Sequence, residues 1–354
     1  MTLAEGPQAP LLRKTSRALL VMLAVLLVPY ASPKLRRLRI VHAPWDPQDV
    51  DAVTTSALVP APVTTLGEAK LGATQNKATV TNSLPDERIP LDPAQLAEAA
   101  GSVAIEDPTG TAMDAFYKHL ARTLRKEPGA VTRVLHYGDS VIASDYVSGT
   151  MRRRVQDRFG DAGHGFILIA NAWDWYFQND VDHRASEGWE MSRITGPLVH
   201  DGMYGLGGVS FHTTASATAT FGTVSRGSYG TKVSRFDVYY LEQPWGGSFQ
   251  METKGQAPVR VSTRGDAKVS RKASLEVPDG AATMTIRTLG GGDVRLFGVV
   301  MERDQPGVTY DALGALGGRA VLWKEMNVDH WKEQMALRDP ALVVVQYGTN
   351  ESEM

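Results

Sequence analysis

The spacing of apolar and polar positions changes three times along the chain. Residues 113–125 place Phe116, Leu120 and Leu124 at helical intervals among charged residues, which predicts an amphipathic helix stopped by Glu127-Pro128-Gly129. Residues 131–135 form a short, largely apolar run that predicts a buried strand. It leads into His136-Tyr137-Gly138-Asp139-Ser140, after which residues 144–159 return to helical character. Strand, tight polar turn and helix in that order are the frame of an α/β site. Between residues 202 and 303 the text changes to short Val, Thr, Phe and Tyr runs separated by glycine-rich turns at Gly246-Gly247 and Gly290-Gly291-Gly292. Strands are expected at 236–240, 249–253, 259–263, 284–287 and 296–301, enough for a β-sandwich inserted into the α/β unit. A helical stretch at 320–337 and an apolar strand at 341–347 then resume the alternation.

The beginning of the chain reads differently. Arg13, Lys14 and Arg17 precede an apolar run over residues 18–28 that continues to Ala31, shorter than the ~20 residues that span a bilayer comfortably. It reads as an export or anchor segment. Pro29 and Tyr30 stand where a cleavage site wants small residues, which favours an uncleaved signal-anchor over residues 1–40, with secretion after cleavage as the alternative. Residues 41–95 are rich in Pro, Ala and Thr without a period of 2 or 3.6, as in a linker that cannot bury a core. The expected organisation is therefore anchor, linker, α/β first part (96–201), inserted sandwich (202–303) and α/β second part (304–354).

Composition narrows the function. A length of 354 residues leaves room for two cores. A net charge of −2 gives no basis for wrapping nucleic acid, and the absence of cysteine removes disulfides, thiolate nucleophiles and zinc–thiolate sites together. No metal or organic cofactor is implied.

Three turns carry the candidate chemistry. Gly138-Asp139-Ser140 puts a serine between a strand and a helix, where helix N–H groups stabilise developing negative charge; alone, the tripeptide reads equally well as a plain turn. Leu313-Gly314-Ala315-Leu316-Gly317-Gly318 follows an expected strand at 308–311 and exposes a glycine N–H. Gly348-Thr349-Asn350-Glu351 follows Val343-Val344-Val345-Gln346-Tyr347 and carries an asparagine at a strand's carboxyl end. The Gly-x-Ser-x-Gly elbow, the P-loop and His-Glu-x-x-His are absent.

In this order, and with Gly160-Asp161-Ala162-Gly163-His164-Gly165-Phe166 and Gly298-Val299-Val300 between them, the turns resemble blocks I, II and III of the SGNH (GDSL-type) hydrolases. The resemblance is to the bacterial subgroup akin to peptidoglycan O-acetylesterases, in which a jelly-roll, carbohydrate-binding-like module interrupts the catalytic domain. It covers residues 131–354 and implies a flavodoxin-like three-layer α/β/α domain. It also implies Ser140 as nucleophile, with the Ser140 N–H, the Gly317 N–H and the Asn350 side chain as oxyanion hole. Leu316 stands where the subgroup carries asparagine. The family's Asp-x-x-His lies downstream of block III, where this chain has no residues, so its aspartate and histidine are absent and the α/β domain is expected to be C-terminally incomplete. The one textual match, Asp180-Val181-Asp182-His183, lies upstream of the insert. The implied reaction is removal of O-acetyl groups from an acetylated polysaccharide or peptidoglycan at the cell envelope, facing the periplasm or exterior, by a chain that is inactive or a fragment as given. A membrane-anchored, non-catalytic carbohydrate-binding protein and a glycan O-acetyltransferase are the alternatives. Trp173, Trp175, Tyr176 and Trp245 are the aromatic candidates for stacking on a sugar or for the core.

Overall fold

The computed structural model describes residues 106–352. The expected anchor at 1–40 and linker at 41–95 lie outside the described residues. Among the described residues no helix is long and apolar enough to cross a membrane.

In chain order the elements are α1 (Asp114–Leu124), β1 (Val131–Gly138), a one-turn α2 (Ser140–Ala143), α3 (Tyr146–Phe159) and β2 (Gly165–Ile167). Ten strands follow: β3 (Asp182–Ala185), β4 (Glu190–Arg193), β5 (Val209–Thr213), β6 (Thr218–Gly222), β7 (Val233–Glu242), β8 (Ser248–Thr253), β9 (Val259–Ser262), β10 (Val269–Gly280), β11 (Thr283–Gly290) and β12 (Val294–Glu302). The chain then forms β13 (Gly307–Gly314), a 3-10 helix (Ala320–Glu325), α4 (Val328–Arg338) and β14 (Leu342–Gln346).

These strands make three sheets. β1 lies between β13 and β14, parallel to both. One antiparallel sheet has the order β10-β7-β12-β5-β4, with β2 also paired to β12, and the other has the order β3-β6-β11-β8-β9. Alternation along β1 explains its place between two layers, since successive side chains leave opposite faces. Val134 points with Val308 and Tyr310 toward Phe116 and Leu120 of α1 and Val155 and Phe159 of α3. Leu135 and Tyr137 point the other way, into a larger core shared with the facing antiparallel sheets, where Phe211, Phe221, Val238, Phe249 and Ile286 are fully buried.

Several sequence expectations change. Leu124, placed on the apolar face of α1, is its last residue and is exposed. Strands before the expected boundary at 202 already join the antiparallel sheets: β2 pairs with β12, β3 with β6 and β4 with β5. The helix expected over 320–337 is broken at Met326 and Asn327, both extended, and the Asn327 side chain caps α4 by accepting from the His330 N–H at 3.0 Å.

One buried cation joins the parallel sheet to the antiparallel ones. Arg338, the last residue of α4, donates through Nε to Asp311 Oδ2 at 2.6 Å and through Nη2 to Asp311 Oδ1 at 2.9 Å, and it also bonds Glu302 at the end of β12. Glu302 further accepts from Arg133 on β1 at 2.8 Å and Arg235 on β7 at 2.6 Å. Burial would raise the pKa of Glu302, but the Arg338 and Arg133 guanidiniums outweigh it and hold the group at about 2. Because this carboxyl is depressed on folding, its contribution is present above its ordinary value of 4.5 and is lost as pH falls from there toward about 2. The melting temperature should therefore drop across that window. Removing one partner leaves uncompensated buried carboxylates, so Arg338→Met should cost ~3–5 kcal/mol in denaturant unfolding.

Candidate active site

The three parallel strands end level with one another. Gly138 of β1 is the register partner of Gly314 on β13 and of Gln346 on β14. The three turns singled out in the sequence therefore leave the sheet along one edge, at the carboxyl ends where open α/β sheets bind ligands.

At the first turn, Asp139 is the N-cap of α2 and its Oδ1 accepts from the Val141 N–H at 3.0 Å. Ser140 is the first residue of that helix and is partly exposed. The sequence pattern missed what stops α2 after one turn. Asp145 takes a left-handed conformation, φ +54°, and its buried carboxylate accepts from Ser148 Oγ at 2.7 Å, Arg152 Nη2 at 2.6 Å and the Asn179 N–H at 2.8 Å. Burial would push its pKa up, but the Arg152 charge beside it carries it below the usual carboxylate value. This separates Ser140 from the long α3 and fixes the short helix on the sheet.

The second turn returns to β1 through the Ala315 N–H, which donates to the Gly138 carbonyl at 3.0 Å. Gly317 follows at φ +69°, with open space beyond its α-carbon. In the third turn, Asn350 Nδ2 donates to the Gly318 carbonyl at 2.8 Å, so the Asn350 side chain reaches the glycine turn that holds Gly317. Glu351, given no role by sequence, ties the third turn to the start of the 3-10 helix that follows the second: its carboxylate accepts from the Ala320 N–H at 2.7 Å and the Gly348 N–H at 2.9 Å. Those backbone donors, Ala320 first, lower its pKa and keep it ionised. Its position directly after Gly348-Thr349-Asn350 was the only sequence signal. Beside the turns, Trp323 Nε1 donates to Tyr347 Oη at 2.8 Å and stacks edge-on to Tyr137 at 4.6 Å, walling an apolar groove of about 340 Å³.

No histidine among the described residues is hydrogen-bonded to Ser140. His136, four residues before it, is bonded on both nitrogens, to Tyr310 Oη at 2.9 Å and Gln346 Oε1 at 3.0 Å, and burial lowers its pKa. His164 is bonded to the Asn179 carbonyl, and burial carries its pKa down to about 3. His330 lies between Ser270 Oγ and the Tyr204 carbonyl. In the upstream Asp-x-x-His text, Asp180 is held by Arg153 at 2.8 Å, while His183 bonds the Ile169 carbonyl and stacks on Phe221. That pair is used in packing and does not form a catalytic couple. The described residues hold no group of three or more His, Asp or Glu side chains placed to bind a metal ion.

Packing sorts the four aromatic candidates. Trp173 and Tyr176 are 8% and 3% exposed and belong to the core, with Tyr176 Oη accepting from the Leu168 N–H at 3.0 Å. Trp175 and Trp245 are 67% and 82% exposed. Trp175 lies two residues before Phe177, whose N–H donates to the Ala143 carbonyl at the end of α2.

No protein-family model matches the chain, and no curated protein matches it. Among solved structures, one of a peptidoglycan O-acetylesterase is similar at 23% identity and a TM-score of 0.54, over 69% of this chain and 63% of that one. The chain thus shares that protein's general fold and spans less than two thirds of its length. A family two carbohydrate esterase from Cellvibrio japonicus is 11% identical over 35% of each chain, at a TM-score of 0.22. A family 6 carbohydrate-binding module is 13% identical over 40% of this chain and 95% of its own, at a TM-score of 0.25. These last two likenesses are too slight to bear on the fold.

A Cβ on Gly314 would run into the Ala143 N–H and the Ile142 carbonyl carbon, both backbone atoms of α2. Gly314→Ala should therefore push Ser140 out of place and destabilise the chain by ~1–3 kcal/mol, read by denaturant unfolding.

Proposed function

We propose that this chain carries the serine edge of an SGNH-type esterase that removes O-acyl groups from an extracytoplasmic glycan. The observation that carries this reading is the convergence of three turns at the level ends of three parallel strands: Ser140 heads α2, and the Asn350 side chain is bonded into the turn of Gly317. The fold shared with a peptidoglycan O-acetylesterase supports a glycan esterase in general; acetylated polysaccharide or peptidoglycan is the substrate, and the cell envelope the location, that this reading proposes.

Ser140 Oγ attacks the ester carbonyl, and the carbonyl oxygen becomes an oxyanion. The Ser140 N–H at the head of α2, the Gly317 N–H and the Asn350 amide donate to it, and Asn350 breaks its bond to the Gly318 carbonyl or uses its second N–H to do so. The alcohol leaves with a proton, and water releases the acyl group from Ser140. No cofactor enters. The attacking hydroxyl needs a base, and His136, His183 and His330 are bonded elsewhere, with no described histidine bonded to Ser140, so turnover by the 354-residue protein is expected to be very slow. That absence also favours a second reading, a glycan-binding protein in which the serine edge is only scaffold.

Exogenous imidazole separates the two. With p-nitrophenyl acetate, imidazole should accelerate hydrolysis by the wild-type chain well beyond its effect in buffer, while Ser140→Ala should show only the buffer rate. Asn350→Ala should lower the imidazole-assisted rate by ~10²–10³ and still form the Ser140 acyl adduct, seen by mass spectrometry. Equal rates for wild type and Ser140→Ala would leave the glycan-binding reading in its place.

A further inference from the structure

Trp245 is the most exposed large apolar residue described, at 82%, and it sits in the turn between β7 and β8 at φ +65°, a conformation that disfavours bulky side chains. The turn is held there from all sides. The Trp245 carbonyl accepts from the Asp293 N–H at 3.1 Å, the Gly246 N–H donates to the Gln243 carbonyl at 3.1 Å, and the Gly247 N–H donates to the Asp293 carbonyl at 3.0 Å. Gly246 has no room for a Cβ, which would meet the Thr263 carbonyl. An indole held in strain and left in water contributes little to folding, and strain of this kind marks functional surfaces.

The residue after it, Gly246, borders a cleft of about 510 Å³ lined by the glycine turns 246–247 and 290–291 together with Ser248, Arg260, Ser262 and Arg264. Arg264 is fixed across it by Nε to the Gly246 carbonyl at 3.3 Å and Nη2 to the Gly291 carbonyl at 3.1 Å, which leaves three of its five N–H donors. Neither Arg260 nor Arg264 is in an ion pair among the described residues. The nearby carboxylates are taken: Asp293 by Gln243 and His212, and Glu242 by Arg271.

We propose that this cleft is a second binding site, for a glycan whose pyranose ring stacks on Trp245 and whose carboxylate is held by Arg260 and Arg264. The flat apolar face of a sugar matches an exposed indole, and two unpaired guanidiniums beside hydroxyl-bearing walls match a carboxylated sugar better than a neutral one. The site is separate from the serine edge and does not depend on hydrolysis there.

The test is calorimetry on the full 354-residue chain carrying Ser140→Ala, so that binding is read without turnover. The probes are tri-galacturonate, N-acetylglucosaminyl-N-acetylmuramic acid, and neutral cellotriose and chitobiose. At least one acidic probe should bind at least tenfold more tightly than the neutral sugar of its length. Trp245→Gly should weaken that binding at least tenfold, with a melting temperature unchanged or raised, because glycine relieves the strained φ. Arg260→Gln and Arg264→Gln should each reduce the preference for the acidic probe; Arg260 donates no bond to the cradle, so its result stands even if Arg264→Gln disturbs the turn. Failure of both acidic probes to bind, or undiminished binding by Trp245→Gly, overturns the proposal, whatever the serine edge does with p-nitrophenyl acetate.

Discussion

Taking a guanidinium out of water costs several kcal/mol unless well-placed acceptors repay it, and the buried Arg338 meets carboxylates from two different sheets. Asp311 belongs to the parallel sheet and Glu302 to the antiparallel sheet, whose strand β12 leads into β13 through a four-residue connection. Apolar surfaces tolerate small slips, whereas a bidentate ion pair at 2.6 and 2.9 Å does not. Arg133 and Arg235 meet the same Glu302, so β1, β7, β12, β13 and α4 are referenced to one point. Asp311 also accepts from the Phe166 N–H at 3.1 Å, which fixes β2 as well.

The serine edge inherits that registration. Because β1, β13 and β14 pair in parallel and stop level, three segments far apart in sequence deliver their turns to one line. The fine placement is local. Asp145 ends α2 after a single turn, Gly314 lets that helix lie directly on the sheet, and Glu351 bridges the Gly348 N–H of its own turn and the Ala320 N–H at the start of the 3-10 helix. None of these three residues need touch a substrate for the edge to depend on them.

The antiparallel sheets form more than a spacer on this reading. Their interior is apolar, and an exposed tryptophan at one end, with Arg260 and Arg264 in no ion pair among the described residues beside it, lies outside that core. A serine edge for chemistry and a separate cleft for holding polymer would let the chain stay on a glycan strand between encounters.

What the sequence determined is whatever period and local text report. The strand before Ser140 and the Phe236–Tyr240 run are apolar enough to be read directly, because burial on one or both faces writes itself into successive residues; the Val-rich strand before Gly348 is legible from its β-branched run, although Val343 and Val345 are exposed. The order of the three turns was also legible, since each is a short contiguous string. The sequence could not show β3 and β4, four residues each and largely polar, or β10, whose exposed residues include Arg271, Lys272 and Glu276. Their strand state comes from partners distant along the chain, and no local signal encodes those partners. The same holds for side-chain fate. Trp173 and Trp175 stand two residues apart in similar text, yet one is core and the other solvent-exposed; His183 follows an aspartate at catalytic spacing, yet its ring is spent on Phe221 and a carbonyl. Only the tertiary structure decided these, because which face a residue presents depends on what the folded chain brings against it.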